Sequence, residues 1–245
     1  MSTPILSLEK VTASYGPFRA LFGVDLEVPE GSAVGLLGAN GSGKSTIARV
    51  ISGLVPIDSG QMRIDGKDAR RWPAERIRQA GIWHVPEGRG VFASLSVEEN
   101  LKVALLAQPR RQRGVLLEAL FDRFALLHER RRDRAGTLSG GQQRLLALAP
   151  AFVVPPRLLL ADELSLGLAP NILDELYASL AELRAQGTTL LVTEQHIDRI
   201  LGLVDTACVV EHGRIIHAGP PDQALAVLEA SLASGGRGAE SAPSA

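Results

Sequence analysis

Val34-Gly35-Leu36-Leu37-Gly38-Ala39-Asn40-Gly41-Ser42-Gly43-Lys44-Ser45-Thr46 is the stretch from which the fold follows. Its first four residues read as a buried strand, the next segment has the form G-x-x-x-x-G-K-[ST], and Thr46 to Gly53 carries helical spacing that Gly53 ends. Strand, loop and helix in that order suit phosphate binding. Glycines let the chain take a tight path that aims N–H groups at one point, and the helix adds its positive N-terminus. Gly38, Ala39, Asn40, Gly41, Ser42 and Gly43 then form the cradle, with Thr46 behind it. Lys44 reaches the β- and γ-phosphates of a nucleotide, and the Ser45 hydroxyl ligates Mg²⁺.

Working outward, Ile5 to Val28 alternates as short strands do, with Tyr15-Gly16-Pro17 as a turn. Gln61 to Asp65, Ile82 to Val85, Arg157 to Ala161 and Thr189 to Val192 read as further strands, and Asn171 to Gln186 as a helix. Between them, apolar residues such as Val97, Leu101, Leu105, Leu116, Leu120 and Phe124 fall at helical spacing, which predicts an inserted helical lobe. The expected organisation is an α/β nucleotide-binding core at 1–86 and 150–230, a helical subdomain at 87–149, and a disordered Ser-, Gly- and Ala-rich tail at 231–245.

Leu158-Leu159-Leu160-Ala161-Asp162-Glu163 is an apolar strand ending in two carboxylates. Downstream of a phosphate loop this is the layout of a Walker B segment, in which Asp162 holds Mg²⁺, mostly through water. The whole chain is electrically balanced, with 26 basic and 27 acidic residues, so no global charge draws it to nucleic acid or to an anionic membrane. The arginine clusters at 110–113 and 130–134 are interleaved with acids and lack stacking aromatics, which predicts a solvated face and no nucleic-acid partner. Cys208 is the only cysteine and lies in an apolar run, which predicts a buried thiol. No stretch of about 18 apolar residues occurs, so the expected location is cytoplasmic.

Leu138-Ser139-Gly140-Gly141-Gln142 gives the phosphate loop its context. The pairing resembles the ATP-binding cassette (ABC) ATPases, and the resemblance extends from Tyr15 to about Gly219. It implies a P-loop NTPase core of the RecA-like kind with an antiparallel β subdomain and an inserted α-helical signature subdomain, binding ATP and Mg²⁺. It further implies that Glu163 is the general base, that Tyr15 stacks on adenine, and that Ser139, Gly140, Gly141 and Gln142 bind the γ-phosphate of ATP held by a second cassette. Ser139 also reads as the cap of the helix that follows.

Val85-Pro86-Glu87-Gly88-Arg89-Gly90 and Ser165-Leu166-Gly167-Leu168-Ala169-Pro170 are similar to cassettes of importers for branched-chain and other amino acids. Glu87 stands where the family usually has a glutamine that contacts Mg²⁺ or the lytic water. Gln195 aligns with the family's switch histidine, with His196 as its neighbour and the competing occupant. Leu164 replaces a common proline. Pro150 interrupts the helix that opens at the signature, and an interior proline costs about 3 kcal/mol, which predicts a kink or an early end near Ala149.

The resemblance thus implies an ATP hydrolase that drives uptake of amino acids or related small polar solutes through separate membrane permease subunits. A second cassette and an extracytoplasmic solute-binding protein complete the expected assembly, at the inner face of the plasma membrane. An exporter ATPase and a regulatory cassette with weak hydrolysis are the alternatives.

Overall fold

The computed structural model describes residues 4–88, 90–165, 168–194 and 200–235. Two sheets divide the work. An antiparallel sheet of order β2-β1-β4-β5 is built from β1 (Leu6–Tyr15), β2 (Phe18–Val28), β4 (Ser59–Ile64) and β5 (Lys67–Asp68). The second has the order β10-β9-β3-β8-β7-β6, from β3 (Ala33–Leu37), β6 (Ile82–Val85), β7 (Leu158–Asp162), β8 (Thr189–Glu194), β9 (Thr206–Glu211) and β10 (Arg214–Gly219). Its strands run parallel except for the β9–β10 hairpin.

Strands β3, β7 and β8 are buried along their whole length, as expected of parallel strands covered on both faces. On one face, α1 (Lys44–Ile51) presents Ile47, Val50 and Ile51 to a core shared with the antiparallel sheet. On the other, α8 (Pro170–Ala185) buries Leu173, Leu176, Leu180 and Leu183, one helical stripe, together with Ala224 and Leu228 of α9 (Pro221–Gly235). Arg157, just ahead of β7, joins the two layers: its guanidinium donates to Glu30 and to both carboxylate oxygens of Asp65. A further short helix, α2 (Ala74–Gln79), precedes β6.

The helical lobe holds α3 (Val97–Ala104), α4 (Arg110–Arg123), α5 (Ala125–Glu129), α6 (Gly140–Leu148) and α7 (Pro150–Val153) around its own core, centred on Leu101, Leu120 and Phe121. Ser96 opens α3 with a capping box completed by Glu99. Arginines 110, 111, 130, 132 and 134 face solvent, while Arg131 pairs with Glu98.

The helix opened by the signature ends at Leu148, and Pro150 begins the separate α7. A proline has no N–H for the Leu146 carbonyl, so the ladder breaks there, as the sequence predicts. The tail requires a boundary correction. Expected to be disordered from 231, the chain continues as helix to Gly235, because α9 lies against β9 and the Ser231 hydroxyl donates to Glu211. Residues 236–245 lie outside the described residues. Among the described residues no helix is long and apolar enough to cross a membrane.

Candidate functional site

The phosphate loop joins β3 to α1 and lines an open cleft of about 630 Å³. Asn40, Gly41, Gly43, Lys44, Ser45 and Thr46 face it, as do Glu87 and Glu163. Gly38 is required for a steric reason, since a Cβ there would sit 2.2 Å from the Val210 carbonyl oxygen. The first turn of α1 carries no acidic residue, which leaves the positive end of the helix uncompensated. Arg19 and Arg49 add positive charge to the rim of the cleft.

Lys44 is buried and donates to the carbonyls of Gly38 and Ala39, each at 2.9 Å. Its Nζ also lies 3.1 Å from Glu163 Oε1. The lysine that would grip phosphate and the carboxylate that would act as base are therefore paired with each other.

Asp162 is 0% exposed at the end of β7. Its Oδ1 accepts from the Ser45 hydroxyl at 3.0 Å and from Thr193 Oγ1 at 2.6 Å, the latter because β7 and β8 pair with Asp162 opposite Thr193. Among the described residues Oδ2 has no hydrogen-bond partner; it lies 3.9 Å from His84 Nε2, which likewise has none among them. Burial pushes the Asp162 carboxyl up, but the contacts with His84, Thr193 and Ser45 outweigh burial and hold it below the ordinary carboxylate range. It is therefore ionised at neutral pH.

These residues fit a nucleoside triphosphate with Mg²⁺. Among the described residues no group of three or more His, Cys, Asp or Glu could hold a metal alone. Mg²⁺ however takes few protein ligands and completes its octahedron with phosphate oxygens and water. A serine hydroxyl beside a buried carboxylate with one orphaned oxygen, at the mouth of an anion cradle, is a donor set of that kind.

Glu163 adopts φ +44°, the left-handed region that a non-glycine residue enters at a cost of about 1–2 kcal/mol. Its amide donates to the Thr193 carbonyl and Oγ1, and its carbonyl accepts from Arg144 Nη2 at 3.4 Å. Leu164 is buried in the core beneath α8.

The signature stands elsewhere. Ser139 caps α6 by accepting from the Gln142 amide, while Gln142 Oε1 accepts from the Ser139 amide. Ser139 and Gly140 are exposed, and none of Ser139, Gly140, Gly141 and Gln142 lines the phosphate-loop cleft. Gly141 packs so closely on α8 that a Cβ would meet Ile172 Cγ2 at 2.3 Å.

Tyr15 ends β1, 42% exposed, with its hydroxyl accepting from Arg49 Nη1 at 3.4 Å, and it is not one of the residues lining the cleft. Glu87 is exposed on the cleft wall. Gln195 and His196 lie outside the described residues. Sequence reading missed Phe22, Arg19, His212 and Gly213 on the cleft, and His84, Thr193 and Arg144 around the carboxylates. The one signal for Thr193 was its place near the end of a strand that would neighbour β7.

A family model described as "ABC transporter" matches residues 21–165. The chain is 41% identical to the high-affinity branched-chain amino acid transport ATP-binding protein BraG of Pseudomonas aeruginosa, over 86% of this chain and 91% of that protein. It is 33% identical to the lipopolysaccharide export system ATP-binding protein LptB of Haemophilus influenzae, over 90% of this chain and 92% of that protein. A crystal structure of a nucleotide-free ATP-binding cassette from an ABC transporter superposes with a TM-score of 0.80 at 27% identity, covering 93% of this chain and 96% of that one.

Proposed function

The chain belongs to the ABC transporter family of ATP-binding cassettes, and from that premise we propose that it powers uptake of branched-chain amino acids or related small polar solutes through a separate permease. It is an ABC-type ATP hydrolase. The likeness to BraG, with the Pro86-Glu87-Gly88 loop and Leu168-Ala169-Pro170, supports import over the export that a relative such as LptB serves.

One observation carries the cassette mechanism: the signature is exposed at a helix N-terminus outside the chain's own cleft. Ser139 and the amides of Gly140 and Gly141 then have anionic ligand to bind only on a second cassette, placed head to tail. Within the cleft, loop amides and Lys44 would hold the phosphates, and Ser45 and Asp162 would hold Mg²⁺, which when bound would supply charge neutralisation at the phosphoryl group. Phosphate drawing Lys44 away from Glu163 frees that carboxylate to orient the attacking water. Glu87 serves as a further Mg²⁺ contact, Tyr15 as a stacking face for adenine, and Gln195 as the switch residue.

An open groove lined by Trp83, Val91, Phe92, Val103, Leu106 and Pro150 lies between core and lobe. Phe92 and Leu106 are exposed, so the groove suits an apolar segment of the permease. The assembly then sits on the inner face of the plasma membrane, with a solute-binding protein on the far side.

The test is co-expression with candidate permeases and measurement of ATP-dependent solute uptake, with Glu163→Gln as control. Uptake that needs Glu163 supports import; efflux of solute under the same conditions assigns the exporter function instead.

A further inference from the structure

We propose that Arg144 is a positioning residue for the general base, holding the backbone of Glu163 from the helix that carries the signature. The inference rests on the ATP-hydrolase reading and extends it to a side chain that touches neither phosphate nor metal.

Arg144 lies on the second turn of α6 and is only 5% exposed. Burying an arginine this deeply is costly unless its guanidinium meets charge or hydrogen-bond acceptors. Its Nη2 reaches the Glu163 carbonyl at 3.4 Å, and Nη1 has no hydrogen-bond partner among the described residues. Burial pulls the guanidinium below its ordinary value, opposed by the negative charges of Glu194, Glu87 and Asp162. The side chain thus runs from the signature helix to the backbone of Glu163, where the charges of these carboxylates are felt.

Glu163 needs such a holder. The left-handed region is a less favourable basin for a glutamate than the right-handed or extended ones, so the neighbours must hold it there. Thr193 fixes the amide side of the residue, from β8 of the core. Arg144 fixes the carbonyl side, from the helical lobe. One clamp belongs to the sheet and the other to a helix whose first turn bears Ser139 and Gln142. A shift of α6 on binding nucleotide at its N-terminus is therefore felt at Glu163, which acts on the nucleotide of the chain's own cleft.

A different role for the same arginine is charge balance alone, with Glu194 buried nearby. The two roles separate experimentally. Charge balance is met by Lys, whereas holding the Glu163 carbonyl from this position needs the reach of Arg.

The experiment measures steady-state ATP turnover, ATP affinity and thermal stability of the full chain as wild type, Arg144→Gln, Arg144→Lys, Glu163→Gln and Arg144→Gln with Glu163→Gln. A positioning role predicts kcat about tenfold lower in Arg144→Gln, with ATP affinity within about twofold of wild type. Arg144→Lys keeps wild-type stability yet recovers only part of the rate, and Arg144→Gln has no further effect on a chain already bearing Glu163→Gln. If Arg144→Gln does not fold, Arg144→Lys carries the comparison alone. The proposal is overturned if Arg144→Lys restores kcat in full, or if kcat falls only in step with ATP affinity. Wild-type turnover by Glu163→Gln overturns the base assignment itself, a result distinct from failure at Arg144.

Discussion

Lys44 Nζ and Glu163 Oε1 lie 3.1 Å apart, with both side chains almost wholly removed from solvent. A buried pair of this kind is sensitive to loss of one partner, because the survivor is left charged in a low-dielectric site. In the function proposed above, the carboxylate assigned as base is thus engaged by the residue assigned to phosphate, and ligand arrival would rearrange it.

Removing either partner has different consequences. Lys44→Ala is expected to weaken ATP binding by about tenfold or more, as a charge-assisted contact to phosphate is lost. Glu163→Gln is expected to bind ATP with near-unchanged affinity and to lose at least about a hundredfold in turnover. Equilibrium nucleotide binding and phosphate release, measured side by side, check both; a Glu163→Gln chain that hydrolyses normally contradicts the assignment.

Gly141→Ala is expected to destabilise the chain by about 1–3 kcal/mol through overpacking, since the new methyl would sit 2.3 Å from Ile172 Cγ2. The cause is steric, so pairing it with Ile172→Ala should recover part of the loss. Denaturant melts of the single and double variants decide; no recovery in the double variant argues against this origin.

Arg157→Met removes the ties to Glu30 and Asp65 and is expected to cost about 1 kcal/mol, because all three side chains are partly solvated and screened. The Arg157 guanidinium beside Asp65 holds that carboxyl below its ordinary value. A depressed carboxylate contributes stability above its unfolded-state value, near about pH 4, and loses it as pH falls further. Wild type and Arg157→Met should therefore differ at neutral pH and converge in acid, which thermal melts across that range would show.

Burial pushes the Cys208 thiol up to about 11. The thiolate is scarce at about pH 8, and the sulfur lies within a covered strand. Reaction with a thiol-specific reagent is expected to be slow in the native chain and complete after unfolding. Fast labelling under native conditions would mean that β9 opens readily.

Much of this architecture was legible because it is local. Continuous apolar runs end at Gly38 and at Asp162, so the strands supporting the phosphate loop and the carboxylates announce themselves. Pro150 likewise acts on its own helix, where the missing N–H is a matter of sequence alone. Thr193 and His84 were not legible, because each meets Asp162 only through the pairing of neighbouring strands. Arg144 was hidden for a related reason: a signature-helix residue ordinarily reads as part of the lobe, and only the docking of lobe on core turns it toward Glu163. The β9–β10 hairpin brings His212 and Gly213 to the cleft across a long stretch of chain, so no short motif could have marked them. Helix α9 outran its expected end because Ala- and Ser-rich sequence lacks an obvious stripe, yet Ala224 and Leu228 are enough to seat it.

The exposure of Ser139 away from its own cleft has a consequence for the cell. In the proposed arrangement the active centre is divided between two molecules, which makes fuel consumption second order in protein. A newly made copy, or one stranded without its companions, would then have half of each centre and stay idle. Specific activity should thus fall on dilution and rise as assembly proceeds, and the placement of one serine would spare the ATP pool from subunits that have nothing to drive.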